Sequence, residues 1–315
     1  MEEIGLKKIR MIEDLSDDIN SLLKQFSIEH RTYKELQFNP FFILGLPRSG
    51  STLLHQILTM SFDFNYVSNI KAFFYENLIF GNMLHDKFKK KNKYNSNYSS
   101  EFGNTKGPLE PHEWGWFWRK WFKLKNEEHY VTKNIDWLGL KKELIIAESF
   151  NKTPLLFDTP YINGNLDLFL KNIGPIFIFN LCRSKKAIYK SLINARQKKY
   201  GSIYKFYGAL TNDKYIKTIK DPYHQIYEQV IKLQEEKDKM IKLNKINFIH
   251  TISYEKLVEN PKKEMKKVEI FLLKNKINLK MSNVKFPIFS NRNFLFANKL
   301  QCNDKSGKFL NMLDN

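Results

Sequence analysis

Phe41-Phe42-Ile43-Leu44-Gly45-Leu46-Pro47-Arg48-Ser49-Gly50-Ser51-Thr52 is the stretch that decides the fold. Four apolar residues end at a glycine, which predicts a short buried strand. Leu53 to Met60 then has helical character. A glycine-containing loop that enters a helix N-terminus turns backbone N–H groups toward an anion. The spacing is that of a P-loop, with glycines at 45 and 50 and a hydroxyl residue at 52. The lysine that follows the second glycine in a P-loop is missing. Ser51 stands there, and Arg48 sits inside the loop. Taken alone, the segment would also serve as an ordinary helix entry.

That departure argues against a nucleotide triphosphatase, which needs the lysine and an aspartate after a second apolar strand to help hold magnesium. The best second strand, Ile176 to Leu181, is followed by Cys182 and Arg183, with no aspartate. A terminal group held by Arg48, amides and hydroxyls, without a metal, suits a phosphosulfate.

Outward from the loop, strands are predicted at 155–157, 176–181 and 248–252. Helices are predicted at about 6–26, 141–150, 165–172, 185–199, 222–243 and 260–274. Apolar strands alternating with helices predict an α/β fold: a P-loop-like parallel sheet with helices on both faces. The 315 residues fit a single domain. Residues 1–38 form a helical lead-in. Residues 86–107, rich in Lys, Asn, Ser and Tyr, form a flexible insert or a lid, and the sequence does not choose between them. Residues 275–315 form a basic extension. The aromatic run from Trp114 to Phe122 would stack on sugar rings or form a core stripe, and its spacing of three and four favours core.

Composition sets further bounds. The net charge is +19. Most of it is lysine, in a chain also rich in Asn, Ile, Phe and Tyr, so much of the charge reads as a compositional background. Arginine is scarce, so an arginine in a motif suggests that a planar fork is wanted there. No apolar run is long enough to span a bilayer. The acidic start lacks a signal-peptide pattern. Two cysteines make no disulfide framework, so a reducing cytoplasm is expected.

Arg183 follows the second strand, and Ser191 lies eight residues on, on the same side of the next helix. Such a pair can converge on one phosphate. Pro47-Arg48-Ser49-Gly50-Ser51-Thr52 resembles the 5′-phosphosulfate loop of sulfotransferases that use 3′-phosphoadenosine-5′-phosphosulfate (PAPS). The Pro-Arg-Ser-Gly form is similar to the branch with tyrosylprotein and many bacterial enzymes, a branch also related to carbohydrate sulfotransferases. Phe177 to Arg183, then Ser191, resembles the family's 3′-phosphate site. Ser253-Tyr254-Glu255-Lys256-Leu257 resembles a segment whose tyrosine lies near the adenine.

The resemblance implies PAPS as donor, with product PAP (3′-phosphoadenosine-5′-phosphate), bound by Pro47, Arg48, Ser49, Gly50, Ser51, Thr52, Arg183, Ser191 and Tyr254, with no metal required. It implies a small-molecule or glycan acceptor. Homodimers occur in the family, and the sequence leaves oligomeric state open. Arg48 would stabilise transferring charge, and His112 or Glu113 would be the base. Glu76 and His55 are weaker candidates. Relatives place a lysine where Asp158 stands, so another cation must replace it or activity is altered. Arg292, Lys299 and Lys305 are candidates to complete the 3′-phosphate site. The alternatives are a P-loop kinase or NTPase, disfavoured by Ser51, and a basic nucleic-acid-binding protein, for which no basic–aromatic motif stands.

Overall fold

Phe41–Leu44 is β1, and its alternation sorts the molecule into layers. Phe42 and Leu44 face one side, among Trp114, Phe117, Trp118, Leu144, Phe157 and Phe169. Phe41 and Ile43 face the other, among Leu54, Leu58, Phe179, Met265 and Leu272. A strand buried on both faces must be apolar throughout, and all four residues are buried. The protein is described here by a computed structural model covering residues 15–23, 35–91, 94–122, 135–159, 162, 165–208, 215–243, 248–293 and 304–313.

The remaining strands are β2 (Asn65–Tyr66), β3 (Ser100–Glu101), β4 (Asn104–Thr105), β5 (Leu155–Asp158), β6 (Phe177–Cys182) and β7 (Ile249–Ser253). The main sheet has the order β2-β5-β1-β6-β7, and every pair is parallel. Helices Gly115–Phe122, Trp137–Ser149 and Leu166–Asn172 cover one face. Helices Ser51–Ser61 and Pro261–Lys274 cover the other. Helices Lys185–Tyr200 and Pro222–Leu243 pack on each other in a third cluster. The expected parallel sheet with two helical faces is therefore present.

The order places a switch point at β1. The chain first builds β2 and β5 on one side, then crosses to build β6 and β7 on the other. At such a point the loops after neighbouring parallel strands diverge and leave a crevice at their carboxyl ends. The loop after β1, Asp158 ending β5, Arg183 after β6 and Tyr254 after β7 all lie at that end.

The aromatic run is core. Trp114, Phe117, Trp118 and Phe122 are buried, and Trp114 stacks on Phe117 with ring centroids 3.6 Å apart. Residues 15–23 are helical, and the rest of the predicted 6–26 helix lies outside the described residues. The 86–107 segment starts as the end of helix Leu78–Lys91 and ends in the β3–β4 hairpin. Between them Ser96 Oγ and the Asn97 N–H donate to the buried Glu110 carboxylate, which also accepts from Gln56.

Candidate functional site

The loop from Gly45 to Gly50 leaves β1 and turns tightly, with the Ser49 N–H donating to the Leu46 carbonyl at 3.0 Å. Arg48 and Gly50 both have positive φ, 68° and 99°. Glycine adopts that region freely, whereas an arginine there is strained, and such strain clusters at ligand-binding loops. Gly50 is also required by space: a Cβ would fall 2.7 Å from the Tyr254 ring.

Arg48 is the hub. Its Nε donates to Ser191 Oγ at 3.2 Å, and its carbonyl accepts from Arg183 Nη1 at 2.8 Å. Its guanidinium lies 5.8 Å from the Phe102 ring centre, at the turn of the β3–β4 hairpin. The Tyr207 phenol hydrogen-bonds it from another side. Burial pushes Tyr207 above the ordinary phenol value, so it stays a neutral hydroxyl.

Arg183 is fixed by three contacts, one of them its bond to the Arg48 carbonyl. Its guanidinium stacks on Tyr254 at 4.1 Å, and its Nε donates to Asn293 at 2.8 Å. Asn293 in turn donates to Glu255 at 2.8 Å. Arg292, exposed next to Asn293, faces Arg183 as a like charge. Glu255 accepts from the Ser184 N–H and Ser253 Oγ. Burial works to raise Glu255, but these hydrogen bonds outweigh it and hold it below the usual carboxylate value. Tyr254 is buried, so its ring is a platform for Arg183 and a wall against Gly50.

Two donors in this group are buried without a hydrogen-bond partner among the described residues: Ser49 Oγ and Arg183 Nη2. Buried donors are normally satisfied. Their location on the loop and at the end of β6 fits an anion with two separate phosphate positions.

The candidate bases separate clearly. His112 Nδ1 accepts from the Trp114 N–H at 2.7 Å, and burial lowers its pKa to about 4. It is neutral with its proton on Nε2, which makes that nitrogen a donor. Glu113 lies at the hairpin, where a Cβ on Gly103 would meet its Oε1 at 2.6 Å. It faces both Tyr207 and Asp158 electrostatically. His55 is a core residue, taken down to about 3 by burial and then by His112. Glu76 is paired with Lys120 at 2.6 Å.

Pro47 packs beside Gly208, where a Cβ would meet it at 3.3 Å, and Ser51 and Thr52 open the following helix. Lys299 and the side chain of Lys305 lie outside the described residues. Phe102, Tyr207 and Asn293 carry no motif and the sequence does not single them out, whereas Glu255 stands in the Ser253–Leu257 segment, of which only Tyr254 is expected to serve the site. Among the described residues no group of three or more His, Cys, Asp or Glu is placed to hold a metal ion, and no helix is long and apolar enough to cross a membrane.

The loop at the switch point of this parallel sheet gives the chain a P-loop-like α/β architecture. Residues 40–134, which carry the loop, the hairpin and the aromatic helix, match the model described as the sulfotransferase family. The sulfotransferase STF1 from Mycobacterium tuberculosis H37Rv superposes with a TM-score of 0.53 at 14% identity, over 88% of this chain and 75% of that one. The sulfotransferase STF9 from Mycobacterium avium superposes with a TM-score of 0.49 at 12% identity, over 93% and 73%. No curated protein sequence matches the chain. The fold is that of the sulfotransferase STF1, and the loop-bearing segment matches the sulfotransferase family model.

Proposed function

We infer that the protein is a PAPS-dependent sulfotransferase acting on a hydroxyl or amine acceptor, in the class of carbohydrates, glycolipids or small metabolites. The observation that carries this is the pair of bonds on Arg48: its side chain meets Ser191 and its carbonyl meets Arg183. That contact links the loop proposed for the phosphosulfate to the residues proposed for the 3′-phosphate, which supports a donor with two anionic ends.

The donor supplies an activated sulfuryl group. Arg48, Ser49 and the loop amides bind its phosphosulfate and bear the charge that develops there. Arg183 and Ser191 bind the 3′-phosphate, with Arg292 beside them and Tyr254 holding Arg183 in place. Glu113 takes the acceptor's proton, since His112 Nε2 is a donor. Arginines and amides fill the role for which kinases recruit magnesium, so the chemistry calls for no metal. We place the activity in a reducing cytoplasm, in keeping with Cys182 as a free thiol.

Calorimetric titration with PAP, with ATP and AMP as controls, tests this. Micromolar binding of PAP, little of AMP, and loss of the preference in Arg183→Ala are expected. Equal binding of PAP and AMP would refute the donor assignment.

A further inference from the structure

Asp158 is the last residue of β5 and pairs in register with Ile43, two residues before the anion loop. It is 6% exposed. Ser51, the first residue of the helix after the loop, offers it a hydroxyl donor. Its Oδ2 is buried and has no hydrogen-bond partner among the described residues. Across from it lies the Glu113 carboxylate, from the turn before helix Gly115–Phe122. A bare aspartate here would set a negative charge beside the cradle of an anion and against a second carboxylate. Two carboxyl groups that face each other in a dry site do not both ionise.

We propose that Asp158 is a neutral carboxylic acid in the working enzyme and that its Oδ2–H donates a hydrogen bond to the anion seated in the Gly45–Thr52 loop. The proposal rests on the sulfotransferase reading for the identity of that anion. An acid held in its neutral form donates as a hydroxyl does, and it delivers partial positive charge where an ionised aspartate would repel. In the transfer step the bond from sulfur to the donor's phosphate oxygen breaks as the bond from the acceptor's oxygen to sulfur forms. The acceptor's proton goes to Glu113. Asp158 keeps its own proton and shares it by hydrogen bond with the departing phosphate oxygen, so charge and atoms balance.

On balance the surroundings favour the neutral acid, with the Ser51 hydroxyl and the N-terminal dipole of its helix opposing. Burial, and then the charge of Glu113, push Asp158 well above the ordinary aspartate value, with Ser51 opposing. Glu113 is the ionisable group set against it. β1 offers apolar Ile43, and the Ser51–Ser61 helix offers Ser51 and its N-terminal dipole. Tyr207, which is hydrogen-bonded to Arg48, also faces Glu113.

The test has two arms on the full chain. Infrared difference spectra of wild type against Asp158→Asn, at neutral pH, should show a protonated-carboxyl carbonyl band in wild type that the variant lacks. PAP titrations across pH should show wild-type affinity falling at alkaline pH by roughly tenfold per unit once Asp158 ionises, while Asp158→Asn stays flat over that range. Asp158→Ala should bind PAP more weakly than Asp158→Asn at every pH, because the donor is gone. Absence of the carbonyl band, or equal alkaline slopes in wild type and Asp158→Asn, overturns the proposal. Failure of wild type to prefer PAP over AMP instead refutes the donor assignment, and the infrared arm still decides whether Asp158 carries its proton.

Discussion

Arg48 Nε donates to Ser191 Oγ at 3.2 Å, across 143 residues of chain. The two residues come from segments expected to serve opposite ends of one donor. Their contact makes the anion site one unit, in which the 5′ loop and the helix after β6 hold each other.

Ser191→Ala should therefore affect both ends. Arg48 Nε would lose its partner in a partly buried setting, which costs about 1 kcal/mol. PAP affinity is expected to fall roughly fivefold, and the weakening should extend to adenosine 5′-phosphosulfate, which has no 3′-phosphate. A loss confined to PAP would show that Ser191 serves the 3′ end alone. Calorimetry with both ligands decides it.

Glu113 and His112 should separate in kinetics. Glu113→Gln keeps shape and removes the base, so kcat should fall roughly a hundredfold or more while PAP affinity stays within about twofold. The acid limb of the pH profile should disappear with it. His112→Gln breaks the contact with the Trp114 N–H, so it should lower thermal stability and change kcat by less than about tenfold. The reverse ranking of the two variants in kcat would make His112 the base.

Gly50→Ala tests the space between loop and platform. The added Cβ meets the Tyr254 ring, and the φ of 99° is unfavourable for alanine. A cost of about 1–3 kcal/mol is expected, with PAP affinity reduced because Tyr254 carries Arg183. Unfolding curves and PAP titration on the same sample would show whether both change.

Asp158 also leaves a mark on stability. The folded state keeps its proton to a higher pH than the unfolded chain does. Stability is then lost as pH rises from the ordinary aspartate range, about 4, toward the folded value. Asp158→Asn removes that slope. The variant's melting temperature relative to wild type should rise between about pH 5 and about pH 8. A constant difference would mean that Asp158 titrates normally.

The sequence showed the sheet well because its main strands are short apolar runs ended by glycine, proline or charge. Phe41–Leu44 and Phe177–Cys182 are of this kind. β2 was not legible, since two residues, Asn65 and Tyr66, carry no period. The β3–β4 hairpin was missed for a related reason. Each strand has two residues, and its turn is Phe102-Gly103, where Phe102 takes a positive φ of 51°. The usual signal is Asn-Gly. Arg48, Arg183 and Ser191 were legible because the chemistry of anion binding is local to strand–loop–helix units. Tyr207 and Asn293 were not, because they reach the site from segments without a periodic pattern, and only the closed fold brings them to Arg48 and Arg183.

Asn293 has one more consequence. It ties Arg183 to Glu255 from far along the chain. During synthesis β1, the loop after it and β6 emerge first, and the Arg183 guanidinium lacks this tie until residue 293 has left the ribosome. Chains cut short before that point carry the loop but hold Arg183 by fewer contacts.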